Sequence, residues 1–272
     1  MQKVILITGA SSGIGKSTAK NLLEKGHTVY GAARRIEEMQ DLEKVGMHTQ
    51  FLDLTDEESI KTCVNAVLEQ EGRIDVLINN AGYGSYGAVE DVAIEEAKRQ
   101  FEVNLFGLAR ITQLVLPGMR KNKQGRIVNI SSMAGKIYTP FGAWYHATKH
   151  ALEGWSDCLR LELKAFDIDV VIIQPGAIKT DWGTIAAKNL KENSGSGAYA
   201  DFANAAADSM HDAYTSDRLT DVSILGKTIA KAATVKNPKR RYAKGFMAKP
   251  AMALRKWLGD GIYEKIIMSQ YK

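Results

Sequence analysis

A chain of 272 residues, 45% hydrophobic and 25% charged, has ordinary globular composition, which excludes a disordered or fibrous protein. Its two cysteines, Cys63 and Cys158, make neither a disulfide framework nor a metal spacing, and no apolar run reaches the roughly 18 residues of a membrane span, so a cytoplasmic protein without a transmembrane segment is expected. The net charge of +5 is uneven, since residues 227–272 hold twelve Lys/Arg against two acids; with no helix-turn-helix, zinc finger or aromatic-basic repeat this excludes nucleic acid, and it reads as a solvated face or, alternatively, as a peripheral contact with an anionic membrane.

In chain order, short Val/Ile-rich runs at 4–7, 28–32, 49–52, 76–78, 127–130 and 170–173 predict strands. Amphipathic stretches at 13–27, 36–45, 56–71, 94–121 and 145–166 predict the helices between them. The first strand is expected to begin almost at the N-terminus, and the segment before the glycine loop reads as a buried strand, not as a signal peptide. Gly26 closes the first helix, and Thr55-Asp56-Glu57-Glu58 reads as a capping box opening another. Near-continuous apolar strands alternating with helices predict a parallel sheet covered on both faces. No repeat or linker divides the chain, so one α/β domain over 1–272 is expected. Residues 181–220 break the alternation after the sixth strand, where ligands bind in open α/β sheets, and are expected to form a substrate lid. Residues 246–272 carry apolar positions at helical spacing and predict a C-terminal helical extension, packed on the core or on a subunit partner.

The first strand runs into Thr8-Gly9-Ala10-Ser11-Ser12-Gly13-Ile14-Gly15, which opens a helix. Glycines allow a tight turn and close approach of a phosphate, and the helix N-terminus offers free N–H groups. By itself the loop identifies a phosphate binder. A rival reading takes Ala10 to Ser17 as a relaxed P-loop, with Lys16 on β/γ-phosphates and Ser17 on Mg²⁺. Against an NTPase, no later strand ends in an acid suited to Mg²⁺; the fourth ends in Asn79-Asn80.

The glycine spacing resembles the T-G-x-x-x-G-I-G loop of the short-chain dehydrogenase/reductase family, in its NADP-preferring branch acting on steroid- and retinol-type alcohols. The resemblance implies a Rossmann-type doubly wound sheet and a dinucleotide held by Gly9, Ser11, Ser12, Gly13, Ile14 and Gly15. The second strand ends without an acid and is followed by Arg34-Arg35. A guanidinium there can grip a ribose 2′-phosphate that an acid would repel, so Arg34 points to NADPH/NADP⁺ over NADH. The family's other frequent NADP mark, a basic residue in the glycine loop, is replaced by Ser12. Asp53-Leu54 matches the family's adenine-contacting pair, and Asn80-Ala81-Gly82 lies in its N-N-A-G turn. Pro175-Gly176, Ile178 and Thr180 match the P-G segment that holds the nicotinamide carboxamide.

Tyr145 and Lys149 stand four residues apart on one helix, a spacing that brings them to one face. Ser132 lies thirteen residues before Tyr145, the family's spacing, and Asn104 matches the fourth member of its tetrad. Carbonyl reduction needs a proton for the oxygen, yet tyrosine titrates near ~10. A neighbouring Lys149 ammonium, with the positive oxidised nicotinamide, is expected to lower the Tyr145 pKa and make it general acid and base. Ser132 would bond the substrate oxygen, Lys149 the nicotinamide ribose, and Asn104 a water relay. The expected activity is an NADP(H)-dependent oxidoreductase interconverting a carbonyl and a secondary alcohol, in a homo-oligomer. A non-catalytic NADPH-binding sensor on the same fold is the alternative. Tyr83, Tyr86, Tyr138, Phe141, Trp144 and Trp182 are expected to wall a pocket for a lipophilic substrate of steroid, retinoid or long-chain type.

Overall fold

The computed structural model describes residues 1–271. Strands β1 (Val4–Thr8), β2 (Thr28–Ala33), β3 (His48–Phe51), β4 (Val76–Asn79), β5 (Gly125–Ile130), β6 (Ile168–Pro175) and β7 (Arg241–Lys244) form one parallel sheet. Their order is β3-β2-β1-β4-β5-β6-β7. The order reverses between β1 and β4, which opens a crevice at the carboxyl ends of those strands.

Ten α-helices accompany the sheet among the described residues: α1 (Gly13–Leu23), α2 (Gln40–Glu43), α3 (Glu57–Glu71), α4 (Ile94–Phe101), α5 (Gly107–Lys121), α6 (Ala143–Leu163), α7 (Trp182–Ser194), α8 (Ala200–Thr215), α9 (Val222–Thr234) and α10 (Ala248–Met268). Alternating strand side chains divide the interior into two cores. Ile5, Ile7, Val128 and Ile173 pack with Leu22 of α1 and Leu225 and Ile229 of α9. Val4, Leu6, Ile127 and Val170 pack on the other face with Val64 of α3, Val115 of α5 and Leu163 of α6. The six predicted strands and the doubly wound arrangement are all present.

Three features depart from the sequence reading. The stretch predicted as one helix over 94–121 is α4 and α5 joined by a π-helical turn at Glu102–Phe106. The cap of α3 is Asp56, whose Oδ1 accepts from Glu58 N at 3.0 Å, one residue later than a Thr55 capping box requires. The seventh strand, β7, pairs with β6 at the sheet edge and was not predicted, because Arg241 and Lys244 give it charge rather than an apolar pattern.

Residues 181–220 fold into α7 and α8. This excursion is tied at its base, where Lys179 N donates to Thr220 O at 2.9 Å. Residues 248–271 form α10 and a final 3-10 turn; α10 is kinked at Gly259 (φ 73°), and its Ala251 and Tyr263 are buried against Ile137.

Candidate active site

The crevice is built first by Asn80 at the end of β4. Its backbone N donates to Thr8 Oγ1 at 3.0 Å, and its Nδ2 donates to Thr8 O at 3.0 Å and Gly9 O at 3.1 Å. Ala81 N also donates to Thr8 Oγ1 at 3.0 Å. The Asn80 side chain therefore braces the glycine loop, and Gly82 beyond it reaches the cavity wall.

The loop is shaped for close backbone approach. Gly15 lies so near Gly9 O that a Cβ there would collide with it, whereas Gly13 has φ +50° and would point a Cβ toward Thr180, 3.5 Å from its Cγ2. Thus the loop faces the segment after β6 across the cleft. Ser12 makes no side-chain cap on α1, which leaves the first-turn N–H groups open to an anion. These features fit a dinucleotide pyrophosphate. They do not suit a P-loop: Lys16 Nζ turns away to Asp41 at 2.8 Å and Glu38 O at 2.7 Å, and the Ser17 hydroxyl meets Val222 O on the far side.

Arg34 and Arg35 are exposed just beyond β2. Arg35 Nη2 lies 3.5 Å from Ser12 Oγ, so the guanidinium pair borders the glycine loop. Asp53 sits beside them, its carboxyl held low by hydrogen bonds from Thr55 and by the charge of Arg34, against the opposing effect of burial. Leu54 is buried in the core below.

Tyr145 and Lys149 project from α6 and are both 7% exposed. Lys149 Nζ stands 5.9 Å from the Tyr145 ring centre and donates to Ile130 O at 2.9 Å, which anchors α6 to the end of β5. Ser132 follows β5 and lies beside Tyr145; its Oγ accepts from Ala134 N at 3.1 Å. Its neighbour Ser131 is buried, with no partner for its Oγ. Asn104 occupies the π turn, a feature that often marks functional positions. Its Oδ1 accepts from Tyr83 N at 3.0 Å, while Nδ2 donates to Tyr83 O at 2.8 Å and Thr148 Oγ1 at 3.2 Å.

Among the protein's own groups, burial dominates the phenol. It pushes Tyr145 up to about 12, with the Ser132 hydrogen bond pulling the other way. The same burial pushes Lys149 down to about 8, opposed by the charge of Glu153 one turn along α6. His146, next to Tyr145, is held near 4 by burial and is a neutral tether between Ala134 O at 3.1 Å and Thr139 Oγ1 at 3.0 Å.

Ser132, Tyr145 and Lys149 line a cavity of about 640 Å³, which is in the range of small-molecule sites. Ile14, Pro175, Gly176, Ile178 and Thr180 line it as well. Of the six aromatic residues expected on its wall, Tyr83, Tyr86 and Trp182 are there, while Tyr138, Phe141 and Trp144 are not. Tyr145 packs against Trp182, with ring centres 5.0 Å apart, and against Tyr86 at 5.9 Å. The outer wall was not foreseen: Met210 and Tyr214 come from α8, and Leu254, Ile267 and Tyr271 from the C-terminal segment. Only the helical spacing of Leu254 and Ile266 hinted at an apolar face there.

The family described as short chain dehydrogenase matches residues 3–191. Two relatives align with nearly the whole chain. A 3-ketodihydrosphingosine reductase of Bacteroides thetaiotaomicron is 39% identical over 264 residues, covering 96% of this chain and 95% of its own. An NADPH-dependent 3-dehydrocapnine reductase of Ornithobacterium rhinotracheale is 35% identical over 286 residues, covering 98% and 96%. Among solved structures, a short-chain dehydrogenase of Streptomyces avermitilis superposes with a TM-score of 0.80 at 33% identity, over 97% of each chain. The protein belongs to the short-chain dehydrogenase/reductase family, oxidoreductases acting on CH–OH and C=O groups.

Proposed function

We propose that the chain is an NADP(H)-dependent reductase of a lipophilic, long-chain ketone, with Tyr145 as proton donor. The observation that carries this reading is the meeting of Ser132, Tyr145 and Lys149 at one wall of a cavity whose other walls are Trp182, Met210, Tyr214, Leu254 and Ile267. Two relatives named as reductases, one of 3-ketodihydrosphingosine and one NADPH-dependent, support both the direction and the cofactor.

In this reading Gly9, Ser11, Ser12, Gly13, Ile14 and Gly15 hold the pyrophosphate on the first turn of α1, and Arg34 takes the 2′-phosphate. Asp53, Leu54 and Ala81 border the adenine side; Pro175, Gly176, Ile178 and Thr180 hold the carboxamide side. When bound, NADPH supplies the hydride. Ser132 Oγ donates to the ketone oxygen and stabilises the charge that develops on it. Tyr145 Oη gives that oxygen its proton; with its pKa near 12 the phenol stays protonated at neutral pH, which suits reduction. Lys149, fixed on Ile130 O, supplies positive charge beside the phenol and a donor for the ribose. Asn104 holds the Tyr83 backbone and Thr148 in place, and so keeps the wall along which a proton returns from solvent. The α7–α8 excursion serves as the substrate lid.

Tyr145→Phe tests the reading. We expect kcat to fall by about 10²–10⁴-fold with NADPH binding retained, as followed by nicotinamide fluorescence. A parent protein that binds NADPH but turns over no ketone in a panel spanning short to long chains would instead be a sensor.

A further inference from the structure

The outer face of α10 is both apolar and cationic. Trp257 is 76% exposed, Leu258 46% and Ile262 49%. A side chain the size of Trp257 left in water is costly, and apolar residues clustered along one helix mark an interaction face. Phe246, Met247 and Ile266 continue the patch, and each is more than a third exposed while also lining the cavity. The patch therefore forms one rim of the cavity.

Its charge is net positive, with Lys249, Arg255, Lys256 and Lys265 against Asp260 and Glu264. The two acids of the helix are exposed but engaged: Asp260 Oδ1 accepts from Tyr138 Oη at 3.3 Å and pairs with Arg255 Nε at 3.4 Å, and Glu264 Oε1 accepts from Tyr138 Oη at 3.0 Å. Lys249, Lys256 and Lys265 have no ion-pair partner among the described residues, and Lys256 Nζ lies 5.0 Å from the Trp257 ring centre. Exposed Trp257, Leu258 and Ile262 around the Gly259 kink, beside lysines without ion-pair partners, combine the apolar and cationic contacts that hold a segment on an anionic membrane. Lysines near an anionic bilayer each add binding energy, and the indole sits readily at the headgroup level.

We infer that α10 docks the protein on an anionic phospholipid surface, with the cavity rim at Phe246, Met247 and Ile266 facing the bilayer. An apolar substrate would then enter from the membrane without crossing water. That entry route rests on the lipophilic substrate proposed above; the docking surface stands on α10 alone.

The test is co-sedimentation of the whole protein with phosphatidylglycerol vesicles and with phosphatidylcholine vesicles, at low and high salt. Binding is expected with phosphatidylglycerol, weakened by salt, and at least about tenfold weaker with phosphatidylcholine. Lys249→Gln/Lys256→Gln/Lys265→Gln and, separately, Trp257→Gln/Leu258→Gln/Ile262→Gln should each lower the affinity by about tenfold or more, with unchanged melting temperature and unchanged turnover of a water-soluble ketone. Equal affinity for both vesicle types, no binding to either, or variants that bind like the parent would overturn the proposal. So would a drop in molecular mass for the Trp257 triple variant in solution, since that would make the face a contact between copies of this chain. A protein that reduces no ketone but still selects phosphatidylglycerol would sink the proposed enzyme and leave the docking surface intact.

Discussion

Glu153 and Arg241 join α6 to the edge strand β7: Arg241 Nε donates to Glu153 Oε2 at 3.0 Å, and Glu153 is only 2% exposed. The carboxylate also accepts from Gln174 Nε2 at 3.0 Å and faces Lys136 Nζ at 3.2 Å. Arg241 extends the network to Asp157, 2.7 Å away on the same helix. Glu153 stands one turn beyond Lys149 on α6, so the charge that β7 brings to the sheet edge ties down the helix that carries Tyr145.

Removing one member of a buried pair leaves its partner uncompensated. Arg241→Met is expected to cost about 3 kcal/mol, measured as a lower midpoint in urea with an unchanged slope. Lys136 and Gln174 keep Glu153 partly satisfied, so the loss should stop short of preventing folding. Arg241→Met/Glu153→Met should recover part of the deficit. If the double variant is as unstable as the sum of the two single changes, the pair is not coupled.

The sheet was legible because five of its strands, β1, β2, β4, β5 and β6, are buried on both faces and spell themselves as apolar runs, while the half-exposed edge strand β3 shows only through Phe51 and Leu52 at its end. β7 was not, since an edge strand needs only half its surface covered and here uses Arg241 and Lys244 for pairing partners and solvent. The π turn left no trace in the periodicity of 94–121, because one extra residue in a turn shifts the apolar register less than a break would. Site residues fixed by local spacing, Ser132, Tyr145 and Lys149, come together as expected. What depends on distant packing did not show in the sequence: which aromatic residues reach the cavity is set by how α8 and α10 lie, and they bring Tyr214 and Tyr271 in place of Phe141 and Trp144. The burial of Tyr145, which pushes its phenol up, likewise depends on distant packing and does not show in the sequence.

The exposed guanidinium pair beyond β2 predicts how the cofactors are told apart. Arg34→Ala should weaken NADPH by about tenfold to a hundredfold, the range for losing charge-assisted hydrogen bonds, and should change NADH little. Arg35→Ala, whose side chain reaches Ser12 Oγ at 3.5 Å, should have a smaller effect. Titration of nicotinamide fluorescence measures both. Equal losses with the two cofactors would remove Arg34 as the basis of preference.

Lys149 carries a pH dependence of two kinds. With its ammonium titrating near 8 and Tyr145 near 12, kcat/KM for reduction should be level below about pH 8 and decline above it, as positive charge beside the phenol is lost. Lys149→Arg should move that decline upward by more than a pH unit, if some turnover survives. The same burial costs stability. Below pH 8 both folded and unfolded chains hold the proton, and the folded state bears a buried charge whose shift from 10.5 to about 8 corresponds to about 3 kcal/mol. Allowing about 1 kcal/mol for the hydrogen bond to Ile130 O, Lys149→Met should be about 2 kcal/mol more stable than the parent at pH 7. Between pH 8 and 10.5 the folded lysine sheds its proton while the unfolded one keeps it, so the parent gains stability with rising pH and the advantage of the variant disappears. A constant difference from pH 7 to pH 10.5 would contradict the lowered pKa.

A glycine sets the spacing of the proposed lid. Gly183, the second residue of α7, lies directly against the ring of Tyr214 on α8, so closely that any Cβ would enter the ring. Tyr214 lines the cavity and lies 5.9 Å from Trp182, which in turn packs 5.0 Å from Tyr145. Gly183→Ala must therefore displace Tyr214 or tilt α8, an overpacking that typically costs about 1–3 kcal/mol. Because the displaced ring belongs to the substrate wall and not to the glycine loop, KM for a long-chain ketone should rise by about tenfold while NADPH affinity stays at the parental value. Tyr214→Ala removes the obstacle, so adding Gly183→Ala to it should cost almost nothing further in stability. If instead the two losses simply add, the spacing of α7 and α8 is set elsewhere, and the wall of the cavity does not depend on this glycine.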